Sequence, residues 1–120
     1  MADKLLIIMA NSDPDSAMSV VPPITQAAVA AAMEFEAEII FTGHCAKLVV
    51  PGTAEKLMLA DGRAAIEVIR EARDAGVKIK VCASGLERWG ETVIAEVEET
   101  VGAAYIISEA MDGETVTFTY

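Results

Sequence analysis

The chain has 120 residues, enough for one domain with a single core and little more. An apolar fraction of 53% is high for so short a chain, so part of the excess is expected at a subunit interface. Nine basic against nineteen acidic residues leave a net charge of −10, which argues against nucleic acid or an anionic membrane surface as a partner.

No apolar run reaches the ~18 residues of a membrane span. Met1-Ala2-Asp3-Lys4 leads straight into an apolar segment, so neither a signal peptide nor a membrane helix is expected. Two cysteines, Cys45 and Cys82, form neither a disulfide framework nor a zinc pattern. The cytoplasm is the expected compartment.

Residues 4–10 open the chain as a continuous apolar strand, Leu5-Leu6-Ile7-Ile8-Met9. Such runs belong to parallel strands buried on both faces. The loop 11–16 follows, beginning at Asn11. A flavin phosphate would want hydroxyls and glycine there, and Asp13 and Asp15 would repel it. Pro22-Pro23 are read as the opening of an alanine-rich helix over 24–33, because proline is tolerated in a first turn.

The second strand covers 38–42, and Thr42-Gly43-His44-Cys45 ends it. His44 and Cys45 suggest a metal or a catalytic pair, but the scattered His and Cys lack zinc-ligand spacing. A loop histidine beside a small hydrophobe is the favoured reading, and no metal is expected. The stretch 46–61 is irregular yet rich in Leu and Val, which reads as a lid or an oligomer contact. Within it, Thr53 is expected to cap a short helix over 54–59. Asp61 is expected to cap a helix over 62–75 whose buried stripe is Ala65, Ile66, Ile69 and Ala72, with Gly76 beyond its end.

Val77, Ile79 and Val81 alternate with Lys78 and Lys80, the period of a strand. The strand ends at Cys82, and Ala83-Ser84-Gly85 leads into a helical turn, Leu86-Glu87-Arg88-Trp89, closed by Gly90. Ligands and reactive groups sit at this rim of open α/β sheets. A thiol before a helix start is also biased towards thiolate. Against this stands a buried structural cysteine. With a 2-1-3 strand order, Cys45 and Cys82 would leave strands two spacings apart, about 10 Å. Bridged Cα atoms need about 7 Å or less, so no resting disulfide is expected. Lys78, Lys80 and Arg88 cluster around Cys82. Either they form a basic patch that steers an acidic partner, or Lys80 pairs with a nearby glutamate.

The tail has two readings. Residues 103–108 resemble a strand, yet too few residues follow for a parallel crossover to 115–120. Helical spacing instead puts Ala103, Ile106, Ile107, Ala110 and Met111 on one stripe. A short strand at 98–101, a helix over 103–111 and a final parallel strand is the preferred solution.

The order of these features resembles the DsrE/DsrF-like family, which includes TusD-type sulfur relay proteins. The resemblance rests on the 11–16 loop, Phe41-Thr42-Gly43 before a long loop, Gly76-Val77 ahead of the cysteine strand, the Cys82–Gly90 turn and helix, and Thr115-Val116-Thr117-Phe118. It implies a single DsrE-like domain over 1–120 with a flavodoxin-like α/β sandwich, a mainly parallel sheet of about five strands flanked by helices. It also implies a trimer or hexamer without a cofactor, exchanging sulfur with a rhodanese-like donor or a TusA-like carrier.

By resemblance, Cys82 matches the persulfide-bearing position, whereas Cys45 matches no general family cysteine. Ser84, Gly85 and Arg88 are the expected supporting residues, with His44, Cys45 and Asn11 as secondary candidates. Two functions then compete: a cytoplasmic sulfur carrier with sulfurtransferase-like chemistry on Cys82, and a non-catalytic assembly or ligand-binding module in which Cys82 is structural. A peroxidase reading has little support, since only Ser84 and Arg88 lie near enough in sequence to meet a peroxide.

Overall fold

The computed structural model describes residues 2–90 and 92–120. Met1, the first residue of the polar lead-in, lies outside the described residues. Five strands form one sheet: β1 (Lys4–Met9), β2 (Glu36–Phe41), β3 (Lys78–Cys82), β4 (Glu99–Val101) and β5 (Thr115–Thr119). Every pairing is parallel, in the order β4-β3-β2-β1-β5. The α/β sandwich read from the sequence is therefore present. The strand order is not 2-1-3, however: β2 pairs β3 directly, with Phe41 opposite Val81. The ends of these strands lie one spacing apart, about 5 Å rather than 10 Å. The distance argument against a Cys45–Cys82 bond falls with that order, although both thiols are free.

Among the described residues five helices join the strands: α1 (Ala17–Ala32), α2 (Thr53–Lys56), α3 (Ala65–Asp74), α4 (Ala83–Trp89) and α5 (Ala103–Ala110), with a 3-10 helix at Gly43–Val49. No helix among the described residues is long and apolar enough to cross a membrane. Helix α1 starts well before Pro22-Pro23, which lie inside it. The buried positions explain why. Val20, Pro23, Ile24, Ala27 and Ala30 form one helical stripe, so packing extends the helix back past the prolines at the loss of two backbone donors.

The capping residues also differ from expectation. Gly52 caps α2 and donates its N–H to Glu55 at 2.8 Å, leaving Thr53 as the first helical residue. Asp61 instead accepts the Arg63 N–H at 3.0 Å. Met58 and Ala64 pair as an antiparallel bridge that holds the chain extended. Helix α3 then begins at Ala65, with Glu67 reaching back to the Ala64 N–H at 2.8 Å. Its buried stripe is the expected one, joined by Val68.

Alternation along the strands divides the side chains between two faces. Ile7, Met9, Ile39, Phe41, Ile79 and Val81 meet α1, α3 and the 3-10 helix in the larger core. That core also takes Cys45, Ala46, Leu48 and Val49, all fully buried. Most of the apolar 46–61 stretch is thus spent inside the domain, so the lid or contact reading does not hold for it. Only Met58 among its large apolar side chains is strongly exposed.

On the other face, α5 covers Leu6, Ile40 and Val101 with Ile106, Tyr105 and Ala110. The chain must carry β4, at one edge, to β5, at the other, and α5 makes that crossing. The strand–helix–strand tail is as expected, but the helix is rotated from the expected stripe. Ala103, Ile107 and Met111 point outward, because Tyr105 turns in to meet charged residues on the sheet.

Those charges are Lys4, Glu38 and Lys80, which share the α5 face by strand parity. Glu38 is 1% exposed and Lys80 is 7% exposed. The Lys80 ammonium lies 3.2 Å from Glu38 and 3.3 Å from Glu99 and donates to the Tyr105 hydroxyl. Lys4 completes the network through Glu38 and Glu109, at 3.1 and 2.8 Å. Burial would push the Lys80 ammonium down, but Tyr105, Glu38 and Glu99 more than offset it and hold its pKa above the ordinary value. Lys80 therefore belongs to the glutamate-paired alternative and forms no part of a steering patch, while Lys78 is exposed at the strand's entrance.

Candidate functional site

Cys82 ends β3 on the same face as Lys80 and serves as the N-cap of α4 in extended geometry. It is 4% exposed. The Ser84 hydroxyl oxygen is 3.2 Å from its sulfur. Thr42 lies one step past the Phe41–Val81 pair, at the end of the adjacent strand. Burial pushes the Cys82 thiol up, yet the side chains of Ser84 and Thr42 and the backbone N–H groups of Ser84 and Gly85, all of which favour the thiolate, more than offset it. The balance is a thiol pKa below the usual value.

Gly85 lets this geometry exist. A Cβ at that position would sit 2.8 Å from the Ala46 Cβ, so any side chain would drive α4 off the 3-10 helix and carry the thiol's donors with it. Gly43 holds the opposing side, with φ +54° and a would-be Cβ 3.0 Å from the Ala10 carbonyl oxygen. Trp89 fastens the far end of α4 by donating its indole N–H to the Gly43 carbonyl at 3.1 Å. Lys47 and Arg88 lie over the Trp89 ring at 5.8 and 5.6 Å.

The other candidates divide into two neighbouring cavities. One, of about 390 Å³, is lined by Gly43, Ser84, Gly85, Glu87 and Arg88. The second, of about 350 Å³, holds Asn11 and His44 with Asp13, Asp15, Lys47 and Trp89. Lys47 pairs there with Asp15 at 3.3 Å. Asn11 and His44 are exposed, and among the described residues neither side chain hydrogen-bonds Cys82. Cys45 is fully buried in the larger core, and burial together with the Asp13 charge pushes its thiol up to about 12. Cys82, Ser84 and Gly85 are thus brought together; His44 and Cys45 face different surroundings. Thr42 is the contributor the sequence reading missed. Only the adjacency of β2 and β3 reveals it.

The sequence model of the DsrE/DsrF-like family matches residues 3–112. This chain belongs to that family. The DsrE-like fold has a solved counterpart in the crystal structure of the YchN protein from E. coli, with a TM-score of 0.76 and 14% identity over 98% of this chain and 99% of that one. At that identity the likeness speaks for the fold alone. No curated protein matches the chain by sequence.

The two thiols of this DsrE-like chain should differ sharply towards alkylation. Near pH 7, brief iodoacetamide exposure followed by peptide mapping is expected to label Cys82 ahead of Cys45. A depressed pKa gives Cys82 the larger thiolate fraction, while a thiol near 12 stays protonated. Labelling of Cys82 should rise with pH with its midpoint below 9, the ordinary thiol value. Faster labelling of Cys45 would overturn the assignment.

Proposed function

We propose that the protein is a sulfur carrier that holds sulfane sulfur as a persulfide on Cys82 and passes it to a partner protein's thiol. The family is generally one of sulfur relay proteins. The observation that carries the reading is one thiol at a helix start with the Ser84 hydroxyl oxygen 3.2 Å from its sulfur, set against a second thiol of the same chain fully buried in the core. In loading, the Cys82 thiolate attacks the outer sulfur of a donor R–S–SH. The donor's S–S bond breaks as the new one forms, and R–S⁻ departs. In unloading, an acceptor thiolate attacks the outer sulfur of Cys82–S–SH, and Cys82 leaves as thiolate. The same surroundings serve both steps, because a stabilised thiolate is also the better leaving group. No electrons are gained or lost overall.

A TusA-like acceptor and a cytoplasmic setting complete this proposal. Incubation with inorganic polysulfide followed by intact-mass measurement tests it. The wild type should become one sulfur atom heavier, and Cys82→Ser should not. A wild type that never gains sulfur would sink the carrier. It would favour the second reading, a binding or assembly module, which the 4% exposure of Cys82 supports.

The carrier is also proposed to be a homo-oligomer, a trimer or hexamer as the family resemblance implies. Exposed Val29, Met33, Phe35, Val116 and Phe118 gather at the α1–β5 edge, around an apolar cleft of about 440 Å³. Contiguous apolar surface of this kind marks a contact site. Light scattering at micromolar concentration should give a multiple of 12.7 kDa. A mass equal to one chain would rule the assembly out.

A further inference from the structure

We propose that the cavity beside Cys82 admits a small amino-acid persulfide, a zwitterion with a free ammonium and a free carboxylate, as the sulfur donor. The inference rests on the persulfide reading of Cys82. The bare Cys82 thiol is 4% exposed, which favours loading from a donor small enough to enter beside it; the loaded persulfide carries its outer sulfur one atom further out, towards an acceptor. The adjoining cavity, about 390 Å³, falls at the small end of the ~300–1,000 Å³ of ligand pockets. Ser84 belongs to both: it lines the cavity and its hydroxyl touches the Cys82 sulfur.

The charges in the wall select the donor's chemistry. Glu87 and Arg88 both line the cavity, and neither makes an ion pair among the described residues. Arg88 lies over the Trp89 ring instead, which leaves its planar fork of N–H groups for a ligand carboxylate. Glu87 supplies the opposite charge for an ammonium. A cation and an anion in one wall suit a zwitterion better than an inorganic sulfur anion. In the transfer, the Cys82 thiolate attacks the donor's outer sulfur, the donor's S–S bond breaks, and the amino-acid thiolate leaves and takes up the proton carried by the transferred sulfur.

The test compares loading rates, read by intact mass, for cysteine persulfide and for the neutral 2-hydroxyethyl persulfide. In the wild type the charged donor should load faster. In Arg88→Ala and Glu87→Gln the ratio of the two rates should fall about tenfold, the loss expected for one charge-assisted contact. A ratio unchanged in both variants, with Cys82 still gaining sulfur, would overturn the zwitterion site and leave the carrier standing. Failure of Cys82 to load from either donor would overturn the carrier itself, and the donor site with it.

Discussion

Glu38→Ala is expected to cost the fold about 3–5 kcal/mol, the toll of breaking a buried ion pair from one side. The Glu38 carboxylate accepts from Lys4 at 3.1 Å and from the Tyr105 hydroxyl at 2.9 Å, and it faces the Lys80 ammonium at 3.2 Å. Its removal leaves Lys80, 7% exposed, with the partly exposed Glu99 as its remaining carboxylate. Lys80→Ala should be milder, because Glu38 keeps Lys4. An apolar replacement of the centre of the network, Glu38→Leu with Lys80→Met and Tyr105→Phe, should be far less harmful than Glu38→Ala alone, since Lys4 keeps Glu109. Urea denaturation followed by circular dichroism reads these differences; a Glu38→Ala midpoint equal to the wild type would refute the assignment.

The pH dependence of this network has a definite sign. Lys80 is held above its ordinary 10.5, so its contribution is complete below that pH and is lost as the pH climbs through the raised value. Glu109 is held below its ordinary 4.5, chiefly by the hydrogen bond from Lys4. Its contribution is present above pH 4.5 and is lost as the pH falls through the lowered value. The network should therefore stabilise most between about pH 5 and 10.

What the sequence disclosed follows from what periodicity can carry. The apolar run at 4–10, the alternation before Cys82 and the helix-stripe spacing in the tail are local signals, and each yielded its element. Lateral neighbours are not local. Nothing in the sequence pattern states that β3 lies beside β2, so Thr42 could not be placed against Cys82, and the distance between the two cysteine loops was overstated. Lys80 was ambiguous for the same reason, since its partners Glu38 and Tyr105 are brought to it by the sheet and by α5. Helix α1 shows the other limit: a proline pair is a strong local stop, and packing of Val20 and Ile24 overrode it. Cys82, Ser84 and Gly85 were legible because they lie together in sequence. The Gly85 contact with Ala46 was not.

Ser84→Ala and Thr42→Val should each slow the loading of Cys82 at pH 7, and the double variant should slow it most. A hydrogen bond to a charged group contributes about 1.5–3 kcal/mol, so loss of one hydroxyl should raise the thiol pKa. Below the thiol pKa, each unit lowers the thiolate fraction about tenfold. The less acidic thiolate is a better nucleophile, with a Brønsted slope near 0.4–0.5, which recovers about threefold of that loss per unit. The net slowing at pH 7 is then about threefold to tenfold for one hydroxyl. For both it is about tenfold or more, because the N–H groups of Ser84 and Gly85 remain. The distinguishing feature is the pH profile. The deficit should shrink as pH rises and reverse once both thiols are fully ionised, since the variant thiolate is the stronger nucleophile. Gly85 and the helix start are untouched by these substitutions, so the circular dichroism spectra should match the wild type. A deficit that stays constant with pH would mean that the hydroxyls act on the incoming sulfur donor, and that the acidity of Cys82 does not depend on them.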